Sequence, residues 1–215
     1  MRKKVKRKHW ITKVLDFGAG VYDPILRATV NELQFREKLI ELAELKGDER
    51  ALDIGCGTGS LALMVAKILN SGSMCGIDIS SNMVDRARAK SERNGYIIDF
   101  RVGSSTHLPY QNGEFDVAFT TLVYHHLDVE EKRETLGEIH RVLRQGGRYV
   151  SLEFGEFPTD LFHRFLLGFT RSSGLFHGIY PYGLIRDAGF IVAGETDGPA
   201  LGGHHRTEYR VLRKI

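Results

Sequence analysis

The feature that most constrains this sequence is the run Leu52-Asp53-Ile54-Gly55-Cys56-Gly57-Thr58-Gly59. It is an apolar segment ending in an acid and three alternating glycines, and Ile77-Asp78-Ile79 follows one crossover later. Glycines at a strand-to-helix turn let the backbone approach a ligand that any Cβ would push away. A carboxylate closing the next strand accepts hydrogen bonds from both ribose hydroxyls. The pairing predicts a nucleoside-bearing ligand lying across the carboxyl ends of two parallel strands.

The details narrow that ligand. The dinucleotide fingerprint asks for glycine or alanine three residues after its second glycine, but the position counted from Gly57 is Ser60. Asp53 stands two residues before the first glycine, where an acid is a poor neighbour for a pyrophosphate. It suits a ligand with a positive end, an amino group or a sulfonium, because opposite charges attract most where water is excluded. No Gly-Lys-Ser or Gly-Lys-Thr occurs, which removes a Walker loop. None of the eight tyrosines has lysine four residues later, which removes a short-chain dehydrogenase.

Four blocks in order resemble the class I S-adenosylmethionine-dependent methyltransferases, in particular the small-molecule branch of quinone, arsenite and phospholipid methyltransferases. They are Leu52 to Gly59; Gly76-Ile77-Asp78-Ile79-Ser80; Leu108-Pro109-Tyr110 leading to Phe115-Asp116-Val117; and Glu138-Ile139-His140-Arg141-Val142-Leu143-Arg144-Gln145-Gly146-Gly147-Arg148. The resemblance covers about Glu49 to Phe154 well and the flanks poorly. It implies a Rossmann-like α/β fold with a seven-stranded, mostly parallel sheet flanked by helices, S-adenosyl-L-methionine as cofactor, and methyl transfer to a small or lipid-like acceptor.

Bulk properties agree with that reading. A chain of 215 residues with 42% hydrophobic content buries one substantial core, so one domain with a lid is expected. Cys56 and Cys75 lack metal-ligand spacing, so a reduced cytoplasmic protein without disulfide or zinc is expected. No apolar run approaches the roughly 18 residues that span a bilayer. The basic start lacks the apolar region of a signal peptide. Arg2, Lys3, Lys4, Lys6, Arg7 and Lys8 concentrate the basicity, and without these six the formal charge of +3 becomes −3. Such a run reads as a solvated terminus or as a contact for an anionic membrane surface or nucleic acid.

Alternating periods predict strands at Arg50–Ile54, Met74–Ile79, Asp99–Val102, Asp116–Thr121, Tyr149–Phe154, Phe190–Glu195 and Glu208–Arg213. Helices are predicted near Ser60–Leu69, Asn82–Asn94, Val129–Leu143 and Tyr182–Ala188, with Ser80 and Ser81 as caps and Gly146-Gly147 ending the third. Residues 1–10 form a tail, 11–45 a helical lid, 46–154 the cofactor-binding core, 155–180 an insertion and 181–215 the last helix and strands. The lid carries Leu33, Ile40 and Leu42 at helical spacing and Val21-Tyr22-Asp23-Pro24. There Tyr22 resembles a gate over the cofactor, while Asp23-Pro24 is also good helix-start chemistry. Phe162, Phe165 and Phe169 of the insertion fall on one helical face, which either packs on the core or walls an apolar acceptor site.

Residue by residue, the resemblance implies that Asp53 orients the methionine end and that Gly55 and Gly57 let that end lie against the backbone. Asp78 holds the ribose hydroxyls, Ile79 and Met83 pack beside the adenine, and the Thr121 backbone meets the amino end. Gly103-Ser104-Ser105 departs from the family, which places aspartate where Ser104 stands; Ser104, with Ser105, is expected at the adenine edge. After the fourth strand comes Thr120-Thr121-Leu122-Val123-Tyr124-His125-His126-Leu127-Asp128, without the Pro-Pro motif of amino-methylating nucleic-acid enzymes. Nucleic acid is therefore not the expected acceptor. His126, and after it His125, either packs at the helix entrance or binds or deprotonates the acceptor. Glu153, His163, His177 and His204-His205 complete the candidates, and histidine spacing gives no zinc motif. An aminopropyl transferase, a cofactor-binding module without catalysis and an RNA-binding methyltransferase using the basic tail are the competing readings; the histidines where a polyamine would need acids speak against the first, and the lack of a basic stripe on the body against the third.

Overall fold

The computed structural model describes residues 32–154, 182–201 and 205–215. Its elements in chain order are α1 (Glu32–Ala43), β1 (Arg50–Ile54), α2 (Ser60–Ala66), β2 (Ser73–Asp78), α3 (Ser81–Arg93), β3 (Asp99–Val102) and β4 (Phe115–Thr121). A short 3-10 turn (Tyr124–His126) precedes α4 (Val129–Val142), β5 (Leu143–Phe154), α5 (Tyr182–Asp187), β6 (Phe190–Leu201) and β7 (His205–Lys214). The sheet order is β3-β2-β1-β4-β5-β7-β6. β3 through β5 are parallel, and β7 runs antiparallel to both of its neighbours. The strand order reverses between β1 and β4. Their outgoing loops therefore part in opposite directions, opening a crevice at the carboxyl ends.

Side chains alternate across the sheet with period two. Ala51, Val117 and Phe119 face α1, α2 and α3, where Leu39, Leu61, Val65, Val84 and Ala87 meet them. Leu52, Ile54, Ala118 and Tyr149 face the other way, against Leu136, Ile139 and Val142 of α4 and Ile185 of α5. Helices on both faces explain why β1 reads as an almost unbroken apolar run. The same alternation puts Asp53 on the α1 to α3 side.

The helices start where capping chemistry directs. The Ser80 hydroxyl accepts the Met83 amide at the head of α3, and Asp128 and Glu131 form a reciprocal capping box at the head of α4. Two expectations shift. α4 ends at Val142, before the glycine pair, because Leu143 is fully buried and pairs in register with Phe115, so strand pairing overrides helix propensity. In α1 the buried stripe is Phe35, Leu39 and Ala43, four residues apart, while Leu33 is 56% exposed and Ile40 and Leu42 are only partly covered.

At the opposite, amino end of the sheet, buried Glu49 accepts the Lys46 amide at 2.8 Å, the Gly47 amide at 2.9 Å and Arg148 Nη2 at 3.0 Å. Burial pushes the Glu49 carboxyl up, but these donors outweigh it and hold it below the usual carboxylate range. A depressed folded value means that Glu49 stabilises the fold above its ordinary pKa, and that this contribution is lost as pH falls through the folded value. Glu49→Ala, which leaves Arg148 buried without this partner, should lower unfolding free energy by about 3–5 kcal/mol in urea titrations at neutral pH. The deficit should shrink at acid pH.

Candidate active site

The turn leaving β1 is tied to β2 before any ligand is considered. The Gly55 and Cys56 amides both donate to the Ile77 carbonyl, at 2.7 and 3.0 Å, and the Gly59 amide returns to the Cys56 carbonyl at 2.9 Å. At Gly55 a Cβ would overlap Val123 Cγ2, so glycine is required by packing against the β4 exit. Gly57 differs. Its φ of +52° favours glycine, yet a Cβ there would meet no protein atom within 4 Å. The space above Gly57 belongs to the crevice.

Asp78 closes β2 with its carboxylate fixed at both oxygens. Oδ2 accepts the Gly57 amide and Oδ1 the Ser80 amide, each at 2.9 Å. Lys90 of α3 braces the same loop from behind, reaching Thr58 Oγ1 at 2.8 Å and Ser60 Oγ at 2.9 Å. The crevice itself is lined by Gly55, Gly57, Ile77, Asp78, Ile79 and Met83 on one wall, and by Gly103, Ser104, Ser105 and Thr106 at one end. Thr121, Leu122, Val123, His126, Leu127 and Glu131 line the other side.

Asp53 is not part of that lining. It is 2% exposed, behind the glycine loop, and accepts the Ala62 amide in the first turn of α2. Burial raises its pKa to about 7; the Arg36 guanidinium pulls it down and the Asp78 carboxylate pushes it up. Ser104 Oγ lies 2.9 Å from Thr106 Oγ1, and Ser105 Oγ lies 2.9 Å from Thr135 Oγ1 of α4, so the β3 exit is fastened to that helix. Met83 is buried and Ile79 is 37% exposed, giving the crevice an apolar wall beside Asp78.

The β4 exit is bent sharply. Leu122 has φ +55°, a left-handed conformation unfavourable by roughly 1–2 kcal/mol for a residue with a Cβ. Its amide bonds to the Leu152 carbonyl at 2.8 Å. Glu153, buried at the end of β5, accepts the next two amides with one oxygen, Val123 at 2.9 Å and Tyr124 at 3.0 Å. Its other oxygen stands 3.6 Å from His125 Nδ1. The His125 and His126 rings are 3.8 Å apart at 45°, and His126 faces the crevice. Crowding by protein atoms, and then the neighbouring His125, hold the His126 pKa below that of free imidazole, although the ring keeps an exposed face toward the crevice. At neutral pH His126 carries no charge.

Ten of the twelve residues singled out by sequence are thus at or beside one crevice: Gly55, Gly57, Asp78, Ile79, Met83, Ser104, Ser105, Thr121 and His126 line it, and the His125 ring rests against His126. Asp53 stands behind it. Tyr22, the basic tail, the aromatic insertion with His163 and His177, and His204 lie outside the described residues. Nothing in the sequence marked Leu122, Val123, Thr106 or Glu131 as lining. Among the described residues no helix is long and apolar enough to cross a membrane, and no cluster of His, Cys, Asp and Glu could hold a metal ion.

A family model described as a methyltransferase domain matches residues 51–147. The chain is 32% identical over 152 residues to a demethylmenaquinone methyltransferase of Thermus thermophilus, an alignment covering 71% of this chain and 63% of that protein. It is 30% identical over 159 residues to the demethylmenaquinone methyltransferase of Staphylococcus saprophyticus, covering 73% and 67%. The chain belongs to the class I S-adenosylmethionine-dependent methyltransferases. Geranyl diphosphate C-methyltransferase of Streptomyces coelicolor shares the fold of this family member, with TM-score 0.70 at 14% identity over 86% of this chain and 81% of that one. The chain spans less than two thirds of the length of the Thermus relative.

Two stability measurements separate the roles of the glycine loop. Gly55→Ala must displace Val123 and should lower the melting temperature by several degrees, consistent with the 1–3 kcal/mol of an overpacked site. Gly57→Ala meets no neighbour and should lose only the roughly 1 kcal/mol of its backbone strain. For Asp53 the folded pKa is raised, so its favourable contribution is complete below the ordinary carboxylate value and is lost as pH rises to about 7. Melting curves of Asp53→Asn should therefore lie above those of the parent at pH 8 and converge with them near pH 4.

Proposed function

We propose that this chain transfers a methyl group from S-adenosyl-L-methionine to a small apolar or lipid-like acceptor of the quinone type. The observation that carries the cofactor reading is the Gly57–Asp78 pair: a glycine whose Cβ position is open crevice, bonded through its amide to a fixed carboxylate. The residues present fit an adenosyl ligand. Asp78 takes the ribose hydroxyls, Ile79 and Met83 flank the adenine, Ser104 and Ser105 border its edge, and Gly55, Gly57 and the Thr121 backbone lie along the methionine end. Asp53 acts on the ligand's amino group through the field, across the glycine loop. Tyr22, in the part of the expected lid that precedes α1, gates the cofactor of a single catalytic domain, while Glu32–Ala43 itself packs on the sheet. The acceptor class is supported by the names of the two relatives.

Bound S-adenosylmethionine supplies a methyl group on a positively charged sulfur, already activated for displacement. The chain's own contribution is alignment and exclusion of water, which proximity and orientation make worth several kcal/mol. Val123, Leu122 and Leu127 present apolar surface at the β4 exit, where the acceptor ring would lie. His126 is neutral, so it anchors an acceptor hydroxyl or carbonyl as a hydrogen-bonding partner; a pKa held below that of free imidazole makes it a weaker base for proton removal. The basic residues 2–8 would hold the enzyme at an anionic membrane surface, where lipid-like acceptors reside.

Calorimetry with S-adenosylhomocysteine, followed by turnover of a demethylmenaquinone-type acceptor dispersed in detergent, tests both halves. Heat with this ligand and none with NAD is expected, and Asp78→Ala should weaken binding by about 1.5–3 kcal/mol. Because only ionised Asp53 attracts the ligand's amino group, affinity should rise from pH 6 to pH 8 and then level off. His126→Ala should reduce turnover with cofactor affinity within about twofold, and by less than the roughly 10²–10⁴ expected for loss of a general base. Turnover that collapses below pH 7 only in the presence of His126 would contradict the anchoring role.

A further inference from the structure

We infer that Glu131 reads the base of the nucleoside, accepting a hydrogen bond from the exocyclic amino group of adenine. The inference rests on the S-adenosylmethionine reading of the crevice. Two carboxylates line the crevice among the described residues, Asp78 and Glu131, and they come from different walls. Asp78 is fixed beneath the glycine loop by the Gly57 and Ser80 amides, which commits it to the sugar. Glu131 belongs to α4, which leaves the carboxyl end of β4 and runs back along the sheet.

The helix is brought to the base end of the crevice by the 2.9 Å contact between Thr135 Oγ1 and Ser105 Oγ. Glu131 precedes Thr135 by four residues and so shares its face. Helical side chains lean toward the N-terminus, which sets Glu131 above the Ser105 contact, toward the mouth. The hydroxyl at position 104 is a poor competitor. Ser104 Oγ faces Thr106 Oγ1 at 2.9 Å and accepts the Thr106 amide at 3.3 Å, so it is turned into its own loop.

The Glu131 carboxylate is preorganised by the capping box. Its Oε2 accepts the Asp128 amide at 3.1 Å while its own amide donates to Asp128 Oδ1 at 2.9 Å. A carboxylate has acceptor sites for several donors, so a helix cap and a ligand amino group are compatible. It has no donor to offer, and a base carrying a carbonyl at the same position would meet like-signed oxygens. The carboxylate therefore selects for an amino group and against its hydrolysed counterpart.

Calorimetry with S-adenosylhomocysteine and its deaminated analogue S-inosylhomocysteine tests this on the full chain without any acceptor. The unmodified chain should prefer the adenosyl ligand by about tenfold to a hundredfold, the range of a hydrogen bond to a charged group. Glu131→Ala should lose most of that preference by weakening the adenosyl ligand alone. Glu131→Gln keeps the cap and can present either an acceptor or a donor, so it should bind the two ligands within about threefold of each other. A preference that survives in both variants, with melting curves showing them folded, overturns the role of Glu131 and leaves the cofactor reading standing. No heat from either ligand on the unmodified chain overturns the cofactor reading and this inference together.

Discussion

One side chain joins the three segments on which the crevice depends. Asp78 ends β2, and its two oxygens take one amide from the glycine loop after β1 and one from the turn into α3. Charge-assisted bonds of this kind are about twice as strong as neutral ones, and here one of the two joins residues 21 positions apart. The loop's φ angles, the start of α3 and the position of the acid at the crevice floor are therefore fixed together. Lys90 adds a second brace from α3 to Thr58 and Ser60. A ligand that binds over Gly57 meets a surface already organised, and little ordering is left for binding to supply.

The opposite wall is built differently. Its backbone turns through a left-handed Leu122, and the buried Glu153 carboxylate holds the amides on the far side of that turn. Strain of this size persists only where surrounding bonds overdetermine it. Lys132 lies buried nearby; burial lowers its pKa while the Glu153 charge raises it, so the polar groups behind the histidines are electrostatically coupled. Val123 transmits this arrangement to Gly55 by direct contact. The two walls are thus in physical register, and a change at the β5 end would be felt at the cofactor loop.

Much of one wall was legible in the sequence because its requirements are local. Glycine spacing, an acid at a strand end and a serine cap each act within a few residues, and all three reappear in the structure at Gly57, Asp78 and Ser80. The histidine pair was visible as residue types, but the lowered pKa of His126 comes from the atoms crowded around it and from His125, an arrangement that only the packed fold creates. Leu122 carries no mark of its backbone conformation, since the forces that impose it come from β5, some thirty residues onward. Glu131 was hidden for another reason. Its capping role fully explains its identity locally, so nothing in the sequence pointed to a second task. The sequence marks Asp53 as an acid but not its depth, and alternation along β1 puts it behind the loop.

The strand order has a bearing on how the chain is made. β1 lies in the middle of the parallel sheet, yet one of its two neighbours, β4, arrives late: the Arg50 amide bonds to Asp116, 66 residues downstream. At a synthesis rate of about 5–20 residues per second, the ribosome leaves that flank of β1 unpaired for roughly 3–13 seconds. The exposed edge is Ala51-Leu52-Asp53-Ile54, apolar except for one acid. Asp53, still ionised while in contact with water, is then the one charge within Ala51–Ile54 and, with Arg50 at the start of the strand, guards the nascent ribbon against pairing with another chain. It becomes a buried acid only when the sheet closes over it.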